Sequence, residues 1–317
     1  MKPKLFLTRM IPQPGIDLLK EVFEISCNHE DRALSRQEHI AGVQDANALL
    51  CLLTDSIDRE VMDAAPRLKV ISNYAVGYNN IDVAYATQKG IRVCNTPGVL
   101  TETTADLTWA LILAAARRIP ESDSYTREGL FRGWEPLLML GQDVFGKTLG
   151  ILGMGRIGQA VSRRALGFGM KIIYYSPDTD PSTLDFPAEK VDFATLLLQS
   201  DILSLHAPLT DETRHMIGKA ELKMMKSSAI LINTARGPLV DEMALIDALR
   251  DGQIFAAGLD VYEQEPDFSM AMLELRNLVL LPHIGSASIE TRTRMAIMAA
   301  QNAIAVIQGQ EPPAVVN

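Results

Sequence analysis

Three side chains in the second half of the chain have the types needed for proton transfer and anion binding. Arg236 follows the apolar run Ile230-Leu-Ile-Asn-Thr234-Ala235, Glu265 lies in Gly258-Leu-Asp260-Val-Tyr-Glu-Gln-Glu265-Pro266, and His283 lies in Leu280-Leu-Pro282-His283-Ile-Gly285-Ser286-Ala287. A guanidinium can hold a carboxylate in a two-point fork. An imidazole can give or take a proton near neutral pH. A carboxylate beside that imidazole orients it and favours its charged form. Taken singly, each residue has an ordinary explanation: a helix-start charge, a solvated loop acid before proline, a loop histidine. Their common placement argues otherwise, because each falls just past the C-terminal end of a predicted strand, where open α/β sheets bind ligands.

A second motif supplies a redox partner for that set. The apolar strand Thr148–Leu152 runs directly into Gly153-Met-Gly155-Arg-Ile-Gly158. The first glycine permits a tight turn, the second lets backbone approach a pyrophosphate, and the third lets the following helix pack on the strand with its N-terminal amides facing the anion. This order predicts dinucleotide binding. Ser176 ends the next strand, Lys171–Tyr175, where NAD sites usually carry an acid for the ribose hydroxyls. Loss of that acid permits NADP(H). Yet no lysine or arginine follows before Lys190, while Asp178 and Asp180 do, and a 2′-phosphate would depend on a distant base such as Arg214. The balance favours NAD(H), with NADP(H) open.

These residues must be held by a larger frame. At 317 residues, with 47% hydrophobic and 22% charged side chains, the chain has the length of about two globular domains. Strand candidates in the first half are Lys4–Thr8, Val22–Ser26, Ala48–Leu53, Val70–Ser72 and Ile91–Cys94, with helical patterns near Gly15–Lys20, Ser35–Val43, Asp58–Ala64 and Asp82–Lys89. An apolar helix is predicted over Thr103–Arg118, followed by a mixed-charge, solvated stretch over Arg117–Arg132. The second half offers six strands, Thr148–Leu152, Lys171–Tyr175, Ile202–Leu205, Ala229–Asn233, Ala256–Asp260 and Val279–Leu281, the count of a full dinucleotide-binding sheet, and then a helix over Ser288–Gln308. Such alternation builds parallel sheets covered on both faces.

A net charge of −9 disfavours nucleic-acid binding, so an anionic substrate needs a few local positive groups. No apolar run reaches the roughly 20 residues of a membrane span. The three cysteines, Cys27, Cys51 and Cys94, are widely spaced and read as reduced thiols of a cytoplasmic protein. His29, His39 and His215 show no partners at metal-ligand spacing, His206 ends a strand near the glycine turn, and no metal is expected.

The chain resembles the D-isomer-specific 2-hydroxyacid dehydrogenases over nearly its whole length. The likeness rests on Val70-Ile-Ser-Asn-Tyr-Ala-Val76-Gly77-Tyr-Asn-Asn-Ile81-Asp82, the glycine turn, His206-Ala-Pro208-Leu-Thr210, Asn233-Thr-Ala-Arg236-Gly237 and Pro282-His283-Ile-Gly285-Ser286-Ala287. Leu50-Cys-Leu-Leu53-Thr54-Asp55, Val99-Leu-Thr-Glu-Thr-Thr104-Ala-Asp, and Gly133-Trp134-Glu-Pro136 with Leu140-Gly141 make the glyoxylate/hydroxypyruvate reductase branch the most similar. The resemblance implies an α/β fold of two doubly wound parallel-sheet domains. A Rossmann cofactor domain, residues 101–284, is inserted into a flavodoxin-like substrate domain, residues 1–100 and 285–317. Substrate would bind between them, with closure about crossings near Val99 and Gly285.

It also implies roles residue by residue. Arg236, Glu265 and His283 form the catalytic trio. The cofactor lies against Thr104, Gly153, Gly155, Arg156, Ile157, Gly158, Ser176, Pro208, Thr213, Thr234 and Asp260, the last orienting the nicotinamide amide. The Val76 and Gly77 amides and Arg236 hold the substrate carboxylate, and Leu53, Trp134 and Ser286 line the pocket. The expected reaction reduces a small 2-oxo acid, glyoxylate or hydroxypyruvate, to the D-2-hydroxy acid, in a homodimer. The alternatives are a phosphoglycerate or phosphite dehydrogenase, which would need basic residues that Leu50–Asp55 does not offer, and a non-catalytic NAD(H)-sensing corepressor-like protein, which would not need the intact trio.

Overall fold

The computed structural model describes residues 2–317. They divide into two compact units, one running to Leu100 and resuming at Ser286–Asn317, the other being Thr101–Gly285.

The first unit holds a five-stranded parallel sheet of β1 (Lys4–Leu7), β2 (Glu24–Cys27), β3 (Ala48–Cys51), β4 (Val70–Asn73) and β5 (Arg92–Cys94), in the order β2-β1-β3-β4-β5. The strands alternate their side chains between two cores. Leu5, Leu7, Leu50 and Val70 pack under α1 (Gln13–Val22) and α11 (Ile289–Ile307). Phe6, Leu49, Ile71 and Val93 pack under α2 (Arg36–Val43), α3 (Arg59–Asp63) and α4 (Val83–Gln88). Local chemistry starts these helices. Ser35 and Glu38 form a capping box on α2, Asp58 caps α3, Asp82 caps α4, and Ser288 caps α11.

The last helix belongs to the first unit because its small-residue face, Ala296, Ala299, Ala300 and Ala303, fills one side of that core. Within it, Asn302 is fully buried, donates to the Asn95 carbonyl at 2.8 Å, and accepts the Ala314 amide at 3.0 Å. One side chain thus fastens the chain's last residues and the end of β5 to α11.

The second unit carries seven parallel strands: β6 (Thr148–Leu152), β7 (Lys171–Tyr175), β8 (Glu189–Lys190), β9 (Ile202–Leu205), β10 (Ile230–Asn233), β11 (Ala256–Leu259) and β12 (Leu278–Leu280). Their order is β12-β11-β10-β9-β6-β7-β8. The expected six strands are therefore corrected to seven. The missed strand, β8, consists of two exposed charged residues at the sheet edge, which carry no apolar signal. The four strands β9, β10, β11 and most of β6 are buried throughout, as parallel strands covered on both faces must be.

Helix α5 (Thr101–Ala116) covers one face of this sheet beside α7 (Arg156–Ala165), and α8 (Phe193–Gln199), α9 (Lys219–Met224) and α10 (Glu242–Arg250) cover the other. Trp109 of α5 donates to the Val161 carbonyl at 3.0 Å and stacks on Phe168. α6 (Ile119–Arg127) has no buried residue, in keeping with its mixed charge. Among the described residues no helix is long and apolar enough to cross a membrane.

Asn302→Leu would leave a buried carbonyl and a half-buried amide unpaired. Each such group costs about 1–3 kcal/mol. Chemical denaturation is expected to show a loss of at least about 2 kcal/mol for this variant; an unchanged midpoint would contradict the clamp.

Candidate active site

The strand order of the second unit reverses between β6 and β9, and the loops leaving those two strands lie against each other. Gly153 has φ +92°, and a Cβ there would come within 2.6 Å of the Ala207 backbone nitrogen. Such a contact cannot relax, because both sides are main chain. A Cβ on Gly158 would meet the Gly153 carbonyl at 2.3 Å, whereas one on Gly155 meets nothing within 4 Å. Two glycines are therefore needed by the fold, and the third leaves open room above the turn. Helix α7 starts at Gly155 with no side-chain cap. Its first amides, at Arg156, Ile157 and Gly158, remain available to an anion. The turn thus fits a dinucleotide's pyrophosphate.

At the end of β7, Ser176 is buried and its Oγ lies 3.0 Å from Thr179 Oγ1, which also reaches the Met154 carbonyl at 3.3 Å. The Lys190 ammonium, which the missed strand β8 brings here, donates to the carbonyls of Pro177 and Thr179, both at 3.0 Å.

The trio gathers at the ends of β10, β11 and β12. His283 Nδ1 lies 2.6 Å from Glu265 Oε2, and Glu265 Oε1 accepts the Tyr262 amide at 3.0 Å. Burial works to raise the Glu265 pKa. The His283 hydrogen bond and charge, the Tyr262 amide and the Arg236 charge outweigh it and hold the carboxyl below its ordinary value. Burial pushes the Arg236 guanidinium down from its ordinary value, and the Glu265 charge opposes this. The Arg236 backbone is fixed by Asn233, whose amide donates to the Arg236 carbonyl at 2.9 Å and whose oxygen accepts the Ala235 amide at 3.0 Å.

Two further residues set the position of His283. Asp260 is buried, and its carboxylate oxygens accept the amides of Ile284 and Gly285, each at 2.7 Å. Burial raises the Asp260 pKa against the pull of those amides and of the His283 charge. Tyr262 donates its hydroxyl to the Leu281 carbonyl at 2.8 Å. Burial first, and then neighbouring carboxylates, push this phenol up to about 12, so it stays a donor through neutral pH. His283 itself has φ +55°, a left-handed backbone that a non-glycine residue adopts at a cost.

A line of threonines ties the same loops to α5. Thr104 donates to the Gly285 carbonyl at 3.1 Å, Thr108 donates to the Thr104 carbonyl at 2.8 Å, and the Thr108 and Thr234 hydroxyls lie 3.0 Å apart.

The structure thus brings Arg236, Glu265, His283, Asp260, Thr104 and Thr234 to one edge of one sheet. Thr213 is engaged with its own loop, accepting the Thr210 amide and donating to the Pro208 carbonyl, both at 2.8 Å. Leu53, Val76, Gly77 and Ser286 belong to the first unit. Trp134 is 86% exposed on the stretch after α6. Tyr262, Thr108 and Asn233 were not found by sequence reasoning, and Lys190 was read there only as a distant base. Tyr262 stands three residues before Glu265, but nothing in the sequence shows that its amide and hydroxyl face two different loops.

Two histidines set aside in the sequence have acid partners. His215 Nε2 lies 2.7 Å from Glu263 Oε1, and His39 Nε2 lies 3.2 Å from Asp55 Oδ1. His206, beside the glycine turn, meets Ser204 Oγ at 2.8 Å, and burial pushes its pKa down to about 3. It is neutral at working pH and no proton donor. Among the described residues no group of three or more His, Cys, Asp or Glu is placed to hold a metal ion.

Comparison with known proteins decides the family. Residues 109–285 match the family described as D-isomer specific 2-hydroxyacid dehydrogenase, NAD binding domain. The chain belongs to the D-isomer-specific 2-hydroxyacid dehydrogenases. It is 53% identical to the glyoxylate reductase of Thermococcus litoralis over 322 aligned positions, covering 100% of this chain and 97% of that one. A solved structure from Thermus thermophilus superposes with a TM-score of 0.94 at 47% identity, covering 99% of this chain and 100% of the other. The NADPH-dependent glyoxylate/hydroxypyruvate reductase of Sinorhizobium meliloti, solved in complex with NADP and malonate, gives a TM-score of 0.88 at 31% identity, covering 100% and 97% of the two chains. As a member of this family the chain is an oxidoreductase of 2-hydroxy acids and their 2-oxo counterparts that uses a nicotinamide cofactor.

The Glu265–His283 pair gives a pH test. Glu265→Gln keeps a hydrogen-bonding oxygen but removes the charge that favours the imidazolium. The high-pH limb of the kcat/KM profile for 2-oxo acid reduction is expected to move to lower pH. An unmoved limb would take Glu265 out of proton transfer.

Proposed function

We propose that this dehydrogenase is a glyoxylate/hydroxypyruvate reductase, forming the D-2-hydroxy acid by hydride transfer from NAD(H), with Arg236, Glu265 and His283 as its catalytic trio. The observation that carries the reading is the His283–Glu265 hydrogen bond, 2.6 Å long, within a site that also holds Arg236. The substrate preference is supported by 53% identity to a glyoxylate reductase across essentially the whole of both chains.

When bound, the dihydronicotinamide supplies the hydride. The protein does the rest. The amides of Val76 and Gly77, with the Arg236 fork, hold the substrate carboxylate and so fix which face of the adjacent carbonyl carbon is presented. As negative charge grows on the carbonyl oxygen, Arg236 stabilises it. His283 enters protonated, its Nδ1–H held by Glu265, and gives its Nε2 proton to that oxygen. In oxidation the neutral imidazole takes the proton back. Asp260 and Tyr262 hold the His283 loop during both directions. Leu53, Trp134 and Ser286 shape the pocket. Arg156, Ile157, Gly158, Ser176, Pro208, Thr213, Thr234 and Thr104 are the proposed cofactor neighbours.

The preference for NAD(H) rests on charge. Lys190 already donates to two loop carbonyls beside Ser176, and Asp178 and Asp180 stand in the same loop. A ribose 2′-hydroxyl suits Ser176 there, whereas a 2′-phosphate would meet carboxylates. NADP, which the Sinorhizobium meliloti relative binds, remains the second reading.

The assembly we propose is a homodimer. The stretch after α6 exposes Phe131, Trp134, Leu137, Leu140 and Phe145, with Trp134 and Leu137 at 86% and 80%. This many exposed large apolar side chains in one stretch suit an interaction face. Light scattering is expected to give twice the chain mass, and a monomer at micromolar concentration would remove the dimer. The three free cysteines suit a reducing compartment, and the cytoplasm is the proposed location.

Initial rates with glyoxylate and hydroxypyruvate, each with NADH and NADPH, test the function. Turnover is expected on both acids with the higher kcat/KM for NADH. His283→Ala is expected to lower kcat by about 10²–10⁴ while NADH fluorescence still reports binding. Wild-type-like turnover in that variant would sink the acid assignment, and higher efficiency with NADPH would reverse the cofactor assignment.

A further inference from the structure

In the first unit, loop 74–80 follows β4 and carries Val76 and Gly77. Three successive carbonyls of this loop are pinned from one side. The Ala75 carbonyl accepts the Thr96 amide at 2.8 Å, the Val76 carbonyl accepts Asn95 Nδ2 at 2.7 Å, and the Gly77 carbonyl accepts Asn73 Nδ2 at 2.8 Å. In a trans peptide plane the C=O and the following N–H point in opposite directions. Holding those carbonyls inward therefore turns the N–H groups of Val76, Gly77 and Tyr78 outward together. Asn73 is fully buried and Asn95 is 8% exposed, so water cannot readily replace either amide.

The same network fixes the neighbouring loop. Asn80 Nδ2 donates to the carbonyls of Leu52 and Asp55 at 3.1 and 3.0 Å, and Asn80 Oδ1 accepts Asn73 Nδ2 at 3.1 Å. Asp55, itself buried, accepts the Leu52 amide at 2.7 Å and the Thr8 hydroxyl at 2.5 Å, and faces His39 Nε2 at 3.2 Å. Thr8 and Leu52 follow β1 and β3, where the strand order of this sheet reverses. The loop bearing Leu53 and the loop bearing Val76 and Gly77 are thus locked to each other through asparagine side chains.

We propose that Asn73, Asn80 and Asn95 are positioning residues that hold loop 74–80 as a preorganised receptor for the substrate carboxylate. They touch no reacting atom. They act by fixing peptide planes before substrate arrives, so that binding does not have to order the loop. The inference rests on the proposed role of the Val76 and Gly77 amides.

Asn73→Asp has the same shape but replaces the donor by an acceptor facing the Gly77 carbonyl. The KM for glyoxylate is expected to rise at least tenfold, with the KM for NADH and the circular dichroism spectrum within twofold and unchanged, respectively. Asn95→Ala, which frees the Val76 carbonyl and keeps the Asn95 backbone carbonyl on Asn302, is expected to act the same way, and decides the matter if Asn73→Asp loses its fold. Calorimetric affinity for oxalate in the presence of NADH gives a measure independent of turnover, expected to weaken at least tenfold in both variants. Folded variants with glyoxylate KM and oxalate affinity within twofold of wild type overturn the proposal, as does an equal loss of NADH and oxalate binding, which a merely structural role would produce. A wild-type protein that turns over no 2-oxo acid overturns the proposed function instead, and the oxalate titration then judges the asparagine frame by itself.

Discussion

The 2.6 Å hydrogen bond between His283 and Glu265 is the contact on which the arrangement of the candidate active site depends. It joins loops that follow two different strands, β11 and β12. The His283 backbone sits in the left-handed region, which costs a non-glycine residue roughly 1–2 kcal/mol. Asp260 offsets this by accepting the next two amides, and Tyr262 ties the Leu281 carbonyl, two residues earlier, to the Glu265 loop. Burial alone would push Glu265 toward neutrality; the nearby cationic groups and the Tyr262 amide keep it ionised, and an ionised partner is what an imidazolium needs.

The two units solve the same problem in the same way. In each, a parallel sheet leaves its functional loops at the C-terminal ends of the strands. In each, a buried aspartate anchors a loop through its main chain: Asp260 accepts the Ile284 and Gly285 amides of the His283 loop, and Asp55 accepts the Leu52 amide of the Leu53 loop. Asparagines and threonines extend both clamps, because their short side chains can reach backbone groups that no strand or helix satisfies. The resulting sites consist as much of oriented peptide groups as of side chains. This suits chemistry in which one ligand is an anion and the reacting carbonyl oxygen becomes one.

The cofactor end follows different logic. Glycines at 153 and 158 are fixed by main-chain contacts, while the open room at Gly155 and the uncapped α7 leave amides for phosphate. The surroundings of Ser176 depend on a charge that arrives from elsewhere in the sheet. Lys190 reaches it from a strand of two residues and is occupied with carbonyls on arrival.

Much of this was legible in the residues themselves. The apolar alternation gave both parallel sheets, the glycine spacing gave the turn, and Arg236, Glu265 and His283 could be chosen because each follows a strand end. Those features are local: a strand, a turn and its flanking residue lie within a few positions of one another. The tertiary structure decided what depends on residues distant in sequence. It brought β8 to the edge, since two charged residues have no pattern of their own. It paired His39 with Asp55 and His215 with Glu263, which no spacing foretells. It showed Tyr262 serving two loops, and Asn73 and Asn95 holding the carbonyls of a third. A backbone carbonyl carries no identity in the sequence, so a side chain that binds one becomes visible only once the chain has folded around it.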